Sequence, residues 1–168
     1  MGSAEMMRVA TRARDPEFST WLNDVLRALD LRSDELPRGL VHGDLFPDNL
    51  ITCDDGELIA IDFEEACHYS LVFDIGMALV GMTLMDALTP RHAAALLAGY
   101  ESRRTLVALE RECLPTMVEC AACMTACYRY ELSERPLATE LRDWRQMRAT
   151  HEQSRGWRRD GVWDSLSG

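Results

Sequence analysis

The sequence contains no lysine, because all 18 of its basic residues are arginine. It also contains no apolar run near the roughly 18 residues that a membrane-spanning helix needs. The first residues, Met1 to Glu5, lack the basic-then-apolar pattern of a secretory signal. These absences exclude a site built on a lysine amine, and they predict a cytoplasmic protein without a membrane partner.

Positive charge is scarce overall, because 28 acidic residues outnumber the 18 basic ones and leave a formal net charge of −10. A protein that binds nucleic acid needs a basic face, so we predict no nucleic-acid partner. An acidic surface can favour a cationic substrate, but its usual effect is on solubility. A length of 168 residues is enough for one domain with a hydrophobic core.

The cysteine pattern does not predict a metal site. Without a secretory signal, the cysteines are expected to be reduced. Cys120, Cys123 and Cys127 lie in an apolar, alanine-rich run with no second cysteine pair or histidine pair at zinc spacing. We therefore predict small buried helix residues there. The six cysteines are Cys53, Cys67, Cys113, Cys120, Cys123 and Cys127.

The hydrophobic pattern predicts a small β region between one helix and a helical bundle. Asp15-Pro16 marks the start of a helix that ends near residue 31. Asp54 to Glu57 is a strong hairpin-turn sequence between two predicted strands. Strands are expected at 39–42, 49–53 and 58–61, and helices at 75–88, 89–102, 106–132 (broken or bent near Pro115) and 138–153.

The chain is expected to form one domain with four successive parts. The first carries the amino-terminal helix, the second the polar loops and hairpin, the third the helical bundle, and the fourth is a tail that the pattern does not place. The corresponding ranges are 1–38, 39–81, 82–155 and 156–168.

Two polar runs flank the predicted hairpin. Transfer of a phosphoryl group needs a carboxylate that orients the attacking hydroxyl and accepts its proton, and oxygen ligands for Mg²⁺. Asp44 and Asn49 lie five residues apart on one loop, which suits a base and a metal ligand. The hairpin brings Asn49 close to Asp62, although 13 residues separate them. These residues predict a phosphoryl-transfer centre.

The run His42-Gly43-Asp44-Leu45-Phe46-Pro47-Asp48-Asn49 resembles the catalytic loop of the protein-kinase-like superfamily, in the form found in aminoglycoside and choline kinases. With Ile61-Asp62-Phe63-Glu64-Glu65-Ala66 and Phe73-Asp74-Ile75-Gly76-Met77-Ala78, it is most similar to the homoserine kinases of that superfamily. The resemblance implies an α+β, mostly helical fold: a kinase carboxyl-terminal lobe with a catalytic β-hairpin and a helical bundle. It is strong over about 39–81 and looser to about 155.

The resemblance also implies a role for each motif residue, with ATP and Mg²⁺ as cofactors. Asp44 would be the catalytic base, while Asn49 and Asp62 would hold the magnesium of MgATP. His42 would brace the loop. Asp74 would hydrogen-bond the loop from the start of a buried helix, where it also suits an N-cap.

Each part of this pattern is weak alone, since Asp-x-x-x-x-Asn occurs by chance and His-Gly-Asp also occurs in turns. The order of the parts, the intervening hairpin and the following Asp74 make the joint pattern far more specific. Phe63 is expected to pack rather than to select a substrate. Glu64 and Glu65 face the metal, a cationic group or only solvent.

Kinases of this class need an amino-terminal lobe that covers the nucleotide and supplies a lysine. Only about 38 residues precede the loop, and the sequence has neither a glycine-rich hairpin nor a lysine. We therefore expect this lobe to be absent. The chain would then be a fragment, an enzyme completed by another chain or by self-association, or a degenerate protein.

Three functions are weighed for this sequence. The first is ATP-dependent phosphorylation of the hydroxyl of homoserine, in threonine biosynthesis. An amino-acid acceptor has a carboxylate, for which Arg129 and Arg135 are candidate partners. The second function keeps the chemistry but takes an aminoglycoside, choline or hydroxylysine. The third is a non-catalytic binding domain with an exposed apolar face.

Overall fold

The computed structural model describes residues 3–29, 32, 34–83, 88–134 and 143–166. None of the helices in these ranges is long and apolar enough to cross a membrane. The described elements are, in chain order, α1 (Ser3–Arg12), α2 (Pro16–Ala28), β1 (Arg38–Val41), β2 (Leu50–Thr52), β3 (Leu58–Ala60), β4 (Cys67–Ser70), α3 (Val72–Met82), α4 (Pro90–Glu101), α5 (Ala108–Ser133), α6 (Trp144–Arg159) and α7 (Val162–Ser165).

Helix α2 begins where the sequence predicts and ends slightly earlier. The Asp15 carboxylate caps it by accepting hydrogen bonds from the backbone N–H groups of Glu17 and Phe18, at 2.8 and 3.3 Å. Leu29 is already extended, so the helix stops at Ala28 rather than near residue 31. On its apolar face, Phe18 stacks on Tyr130 of α5 with ring centres 4.1 Å apart and meets Trp144 of α6 edge to face at 4.9 Å.

Four strands form two separate two-stranded antiparallel sheets. The predicted hairpin pairs β2 with β3, with Ile51 opposite Ile59. Strand β1 pairs with β4, which places Val41 opposite Cys67. Strand β4 was not predicted, because Cys67-His68-Tyr69-Ser70 has no regular apolar alternation. This strand returns the chain from the hairpin to α3.

Helices α3, α5 and α6 enclose the hydrophobic core. The α3 helix ends at Met82, whereas the sequence predicted a helix to residue 88; residues 84–87 lie outside the described ranges. A Cβ on Gly76 would lie 2.8 Å from the Met117 carbonyl oxygen, so the two helices approach closely there. Helix α5 continues through Pro115 without the predicted break, held by α3 and α6 on its flanks.

The cysteines of α5 follow the prediction, and the tail has a structure that the sequence did not indicate. Cys120, Cys123 and Cys127 are buried in α5, as predicted, and burial raises the pKa of Cys120 and Cys127 to about 12. The described part of the tail that the sequence left unplaced continues α6 to Arg159 and then forms α7. Its buried Trp163 donates a hydrogen bond from Nε1 to the Ser154 carbonyl oxygen at 3.1 Å, which fixes α7 on α6.

Candidate active site

Asp74 holds the loop that follows β1. Its carboxylate accepts hydrogen bonds from the backbone N–H groups of His42 (2.7 Å) and Gly43 (2.9 Å). Asp74 lies in the first turn of α3, and the N-cap position belongs to Leu71, so the proposed N-cap role of Asp74 is wrong. Hydrogen bonds to a charged acceptor are stronger than neutral ones, so a core helix anchors the loop firmly.

His42 connects this loop with the end of the β2–β3 hairpin. The backbone N–H of Asp44 donates to its Nδ1 at 3.3 Å, and its Nε2 lies 2.9 Å from the carbonyl oxygen of Ile61. A carbonyl only accepts, so these partners assign the neutral tautomer with the proton on Nε2. The buried ring also packs on Phe63, with ring centres 4.6 Å apart. These contacts join the loop to the end of the hairpin.

Asn49 closes the loop onto Asp44. Its Nδ2 donates to the Asp44 carbonyl oxygen at 2.8 Å and to the Asp44 carboxylate Oδ2 at 2.9 Å. Both partners are acceptors, so the amide nitrogen must face them and Oδ1 points away. The backbone oxygen of Asn49 accepts from the N–H of Ile61 at 3.0 Å, which puts Asn49 beside the residue that precedes Asp62.

Asp62 follows β3 in a left-handed backbone conformation, with φ 62° and ψ 66°. Non-glycine residues adopt this region uncommonly, and Asp is one of the residues that tolerate it. The turn ends β3 and leaves the Asp62 side chain exposed. Outliers of this kind cluster at functional sites, and Asp62 is one of two described non-glycine residues with positive φ.

Asp44 lies in an environment that disfavours its charge. Partial burial raises the pKa of its carboxyl group above the usual value, and the nearby charges of Glu65 and Asp62 raise it further. The hydrogen bond from Asn49 acts in the opposite direction. The carboxylate of Asp44 is therefore half-buried, hydrogen-bonded and close to two other acids, which suits a group that gains a proton.

The side-chain oxygens of Asn49 and Asp62 are ligands of the kind that Mg²⁺ prefers. Magnesium prefers oxygen ligands and keeps several waters, so one or two protein ligands suffice when phosphates supply the others. The free Oδ1 of Asn49 and the exposed carboxylate of Asp62 are such donors. Across the described ranges, no group of three or more His, Cys, Asp or Glu side chains forms a self-contained metal site.

A cavity of about 360 Å³ opens beside Asp44, and sequence reasoning did not find its walls. It lies between the loop that follows β1, the Phe63–Glu65 turn, β4, α3 and α5. Met124 and Tyr128 belong to the long helix α5, and nothing in its sequence distinguishes residues that line a cavity from residues that pack in the core. The lining residues are Gly43, Asp44, Glu64, Glu65, Cys67, Tyr69, Phe73, Met77, Met124, Thr125 and Tyr128.

Arg129, one of the two arginines predicted to bind an acceptor carboxylate, does not lie at the cavity. Arg129 is buried between α5 and α6, where its Nη1 donates to the Asp143 carbonyl oxygen (3.2 Å) and to Oε1 of Gln146 (2.9 Å). It fastens two helices and does not line the cavity. The second candidate, Arg135, lies outside the described residues.

Comparison with known proteins shows the family of this chain. The family described as "APH: Phosphotransferase enzyme family" matches residues 3–113. This chain belongs to that phosphotransferase family. Its relatives include the homoserine kinase of Gluconacetobacter diazotrophicus, 40% identical over 131 residues, or 76% of this chain and 37% of the relative. The homoserine kinase of Gluconobacter oxydans is 38% identical over 112 residues, covering 66% of this chain and 32% of that protein.

A solved structure extends the comparison to the fold. The crystal structure of choline kinase LicA from Streptococcus pneumoniae matches 98% of this phosphotransferase-family chain and 56% of its own, with a TM-score of 0.66 and 17% identity. The predicted mostly helical, kinase-like fold is thereby confirmed. The chain spans about two fifths or less of the length of the two homoserine kinases.

Proposed function

We propose that this lobe transfers the γ-phosphate of MgATP to the hydroxyl group of a small molecule. The observation that carries the proposal is the double hydrogen bond from Asn49 to Asp44, on a loop that Asp74 and His42 fix against the hairpin. Homoserine is the acceptor that the names of the relatives favour. The product would then be O-phosphohomoserine.

In this reaction, Asp44 orients the acceptor hydroxyl and accepts its proton. The hydroxyl oxygen bonds to the γ-phosphorus, and the bond from that phosphorus to the β–γ bridging oxygen breaks to release ADP. The raised pKa of Asp44 suits proton uptake. Asn49 and Asp62 would hold Mg²⁺. The bound metal would position the phosphates and offset their negative charge.

Replacement of the base tests this function. We expect Asp44→Asn to lower kcat for ATP-dependent phosphorylation of homoserine by about 10²- to 10⁴-fold, because the proton acceptor is lost. The assay measures ADP release and phosphohomoserine together, on the protein in its full natural length. Asp54→Asn is the matched control, since Asp54 is exposed in the hairpin turn away from the cavity. Equal activity of Asp44→Asn and wild type would refute the proposal.

A further inference from the structure

We propose that the groove between α2 and α6 binds a small organic carboxylate, at a site separate from the cavity beside Asp44. The groove has a volume of about 590 Å³, within the usual range for small-molecule sites, and it shares no lining residue with that cavity. The inference goes beyond the phosphoryl transfer proposed above and does not depend on it. It rests on two buried polar atoms without partners and on one unpaired arginine.

Helical spacing builds the two walls of the groove. Trp21 and Val25 lie four residues apart on α2, and His151 and Arg155 lie four residues apart on α6, so each pair is on one face of its helix. Trp21, Val25 and His151 are buried, whereas Arg155 is exposed. The buried residues therefore form the floor of the groove, and Arg155 lies at its rim.

Two polar atoms on the floor have no hydrogen-bond partner in the described part of the chain. They are Nε1 of Trp21 and Nδ1 of His151, and these residues are only 9% and 3% exposed. The two rings meet edge to face with centres 5.9 Å apart, so both atoms belong to one small region of the groove. Buried polar groups in native proteins are paired with protein, water or a ligand. Because the indole N–H only donates, its partner in the groove must supply an acceptor.

His151 and Arg155 add donors to the same region. Burial lowers the pKa of His151 to about 4, and the positive charge of Arg155 adds to this shift, so the guanidinium acts at the floor. The imidazole is therefore neutral at pH 7, and in the tautomer with the proton on Nδ1 it is a donor beside Trp21. A guanidinium also carries only donors. A ligand in the groove thus meets donors from Trp21, His151 and Arg155.

The charges around the groove favour a single negative charge on the ligand. Among the described residues, Arg155 has no ion pair or hydrogen bond, whereas each carboxylate that lines the groove is paired with an arginine. A guanidinium matches a carboxylate in shape and charge. A phosphate would bring a second negative charge beside these acids, which one unpaired arginine does not balance. The pairs are Glu17–Arg148 (3.1 Å), Asp24–Arg27 (3.3 Å) and Glu152–Arg148 (2.8 Å).

Three probes with one carbon skeleton test the ligand class: cyclohexanecarboxylate, cyclohexanecarboxamide and cyclohexylmethylammonium. Each is titrated into the ¹⁵N-labelled full natural protein, and NMR follows the indole N–H signal of Trp21, which Trp21→Phe assigns by removing it. We expect the carboxylate to move this signal downfield with saturation, because the N–H gains an acceptor. Its Kd should be at least about 10-fold below that of the carboxamide, the usual effect of one charge-assisted hydrogen bond.

The other outcomes of this titration contradict the proposal. A Kd for the ammonium probe or the carboxamide equal to or below that of the carboxylate would overturn the inference, since the acids at the rim or the apolar floor would then decide binding. An indole signal that moves with none of the probes would also overturn it and leave water as the partner of the floor. None of these readouts requires ATP or turnover, so failure of the proposed phosphoryl transfer leaves this test intact.

Matched variants assign the binding to the groove. We expect Arg155→Gln to raise the Kd of cyclohexanecarboxylate at least about 10-fold, measured by calorimetry. Arg159→Gln is the control and should change the Kd less than about twofold, because Arg159 is exposed on the same helix but does not line the groove. Both changes are at exposed side chains, so both variants should fold. Equal Kd values for Arg155→Gln and Arg159→Gln would contradict the assignment.

Discussion

Gly43 occupies a backbone conformation that alanine adopts only under strain. Its φ is 83°, and an added Cβ would lie 2.5 Å from the Glu65 carbonyl oxygen. We expect Gly43→Ala to lower the free energy of unfolding by about 1–3 kcal/mol and to lower activity, because the loop and the Phe63–Glu65 turn must separate. Urea unfolding and the ADP-release assay measure the two effects.

A second glycine provides the matched control. Gly99 lies in α4 with no atom within 4 Å of its added Cβ. Alanine is the better helix former there, so Gly99→Ala is expected to leave activity unchanged and to stabilise the protein by about 0.5–1 kcal/mol. A Gly43→Ala variant as stable and active as Gly99→Ala would show that the close approach at Gly43 is unimportant.

The residues of the site lie in three short motifs, which is why sequence reasoning found them. His42, Asn49 and Asp74 make the contacts that bring the motifs together, Asn49 through its backbone oxygen and the N–H of Ile61. The roles of Asp44, Asn49 and Asp62 remain proposals. Sequence reasoning did not identify the partners of Arg129, because they lie on the following helix and depend on how α5 and α6 pack.

At the scale of elements, the contact between α2 and α6 contains a titratable group. His151 is buried on α6, edge to face with Trp21 at 5.9 Å, and its Nδ1 lacks a hydrogen-bond partner in the described part of the chain. Burial, together with the charges of Arg155 and Arg158, lowers the pKa of His151 to about 4. The unfolded chain has a histidine pKa of about 6.5.

The difference between these pKa values predicts acid sensitivity. Between pH 6.5 and 4, the unfolded state binds more protons than the folded state, so the free energy of unfolding falls by up to about 1.4 kcal/mol per pH unit as pH falls. We expect His151→Leu to show a shallower decline than wild type in urea unfolding at pH 7, 6, 5 and 4. His92→Gln, on the exposed face of α4, should keep the wild-type slope; parallel curves for His151→Leu and wild type would contradict the assignment.

Helices and strands were predicted correctly where neighbouring residues decide the structure, and less well where distant contacts decide it. Local capping signals at Asp15 and Thr89 correctly placed the starts of α2 and α4. Pro115 was expected to break or bend a helix; α5, which packs against α3 and α6, runs through it without a break. Strand β4 was not predicted, because its conformation depends on pairing with β1, about 30 residues away in the sequence.

At the scale of the whole molecule, several large apolar side chains are exposed on β1, on the β2–β3 hairpin and on the turn that follows it. Successive side chains of a strand point to opposite faces, so Leu58 and Ile59 are exposed on both faces of the hairpin. The exposed side chains are Leu40, Ile51, Leu58, Ile59, Ile61 and Phe63.

The central claim is that Asp44 and Asn49 act as one unit in phosphoryl transfer, and a double-mutant cycle tests it most directly. We would measure kcat/KM for MgATP-dependent phosphorylation by wild type, Asp44→Asn, Asn49→Ala and the double variant, each in the full natural protein. Residues that act together show strongly non-additive losses. The account predicts a loss of at least about 10²-fold in each single variant and little further loss in the double variant. Wild-type activity in either single variant, or losses that simply multiply, would contradict it.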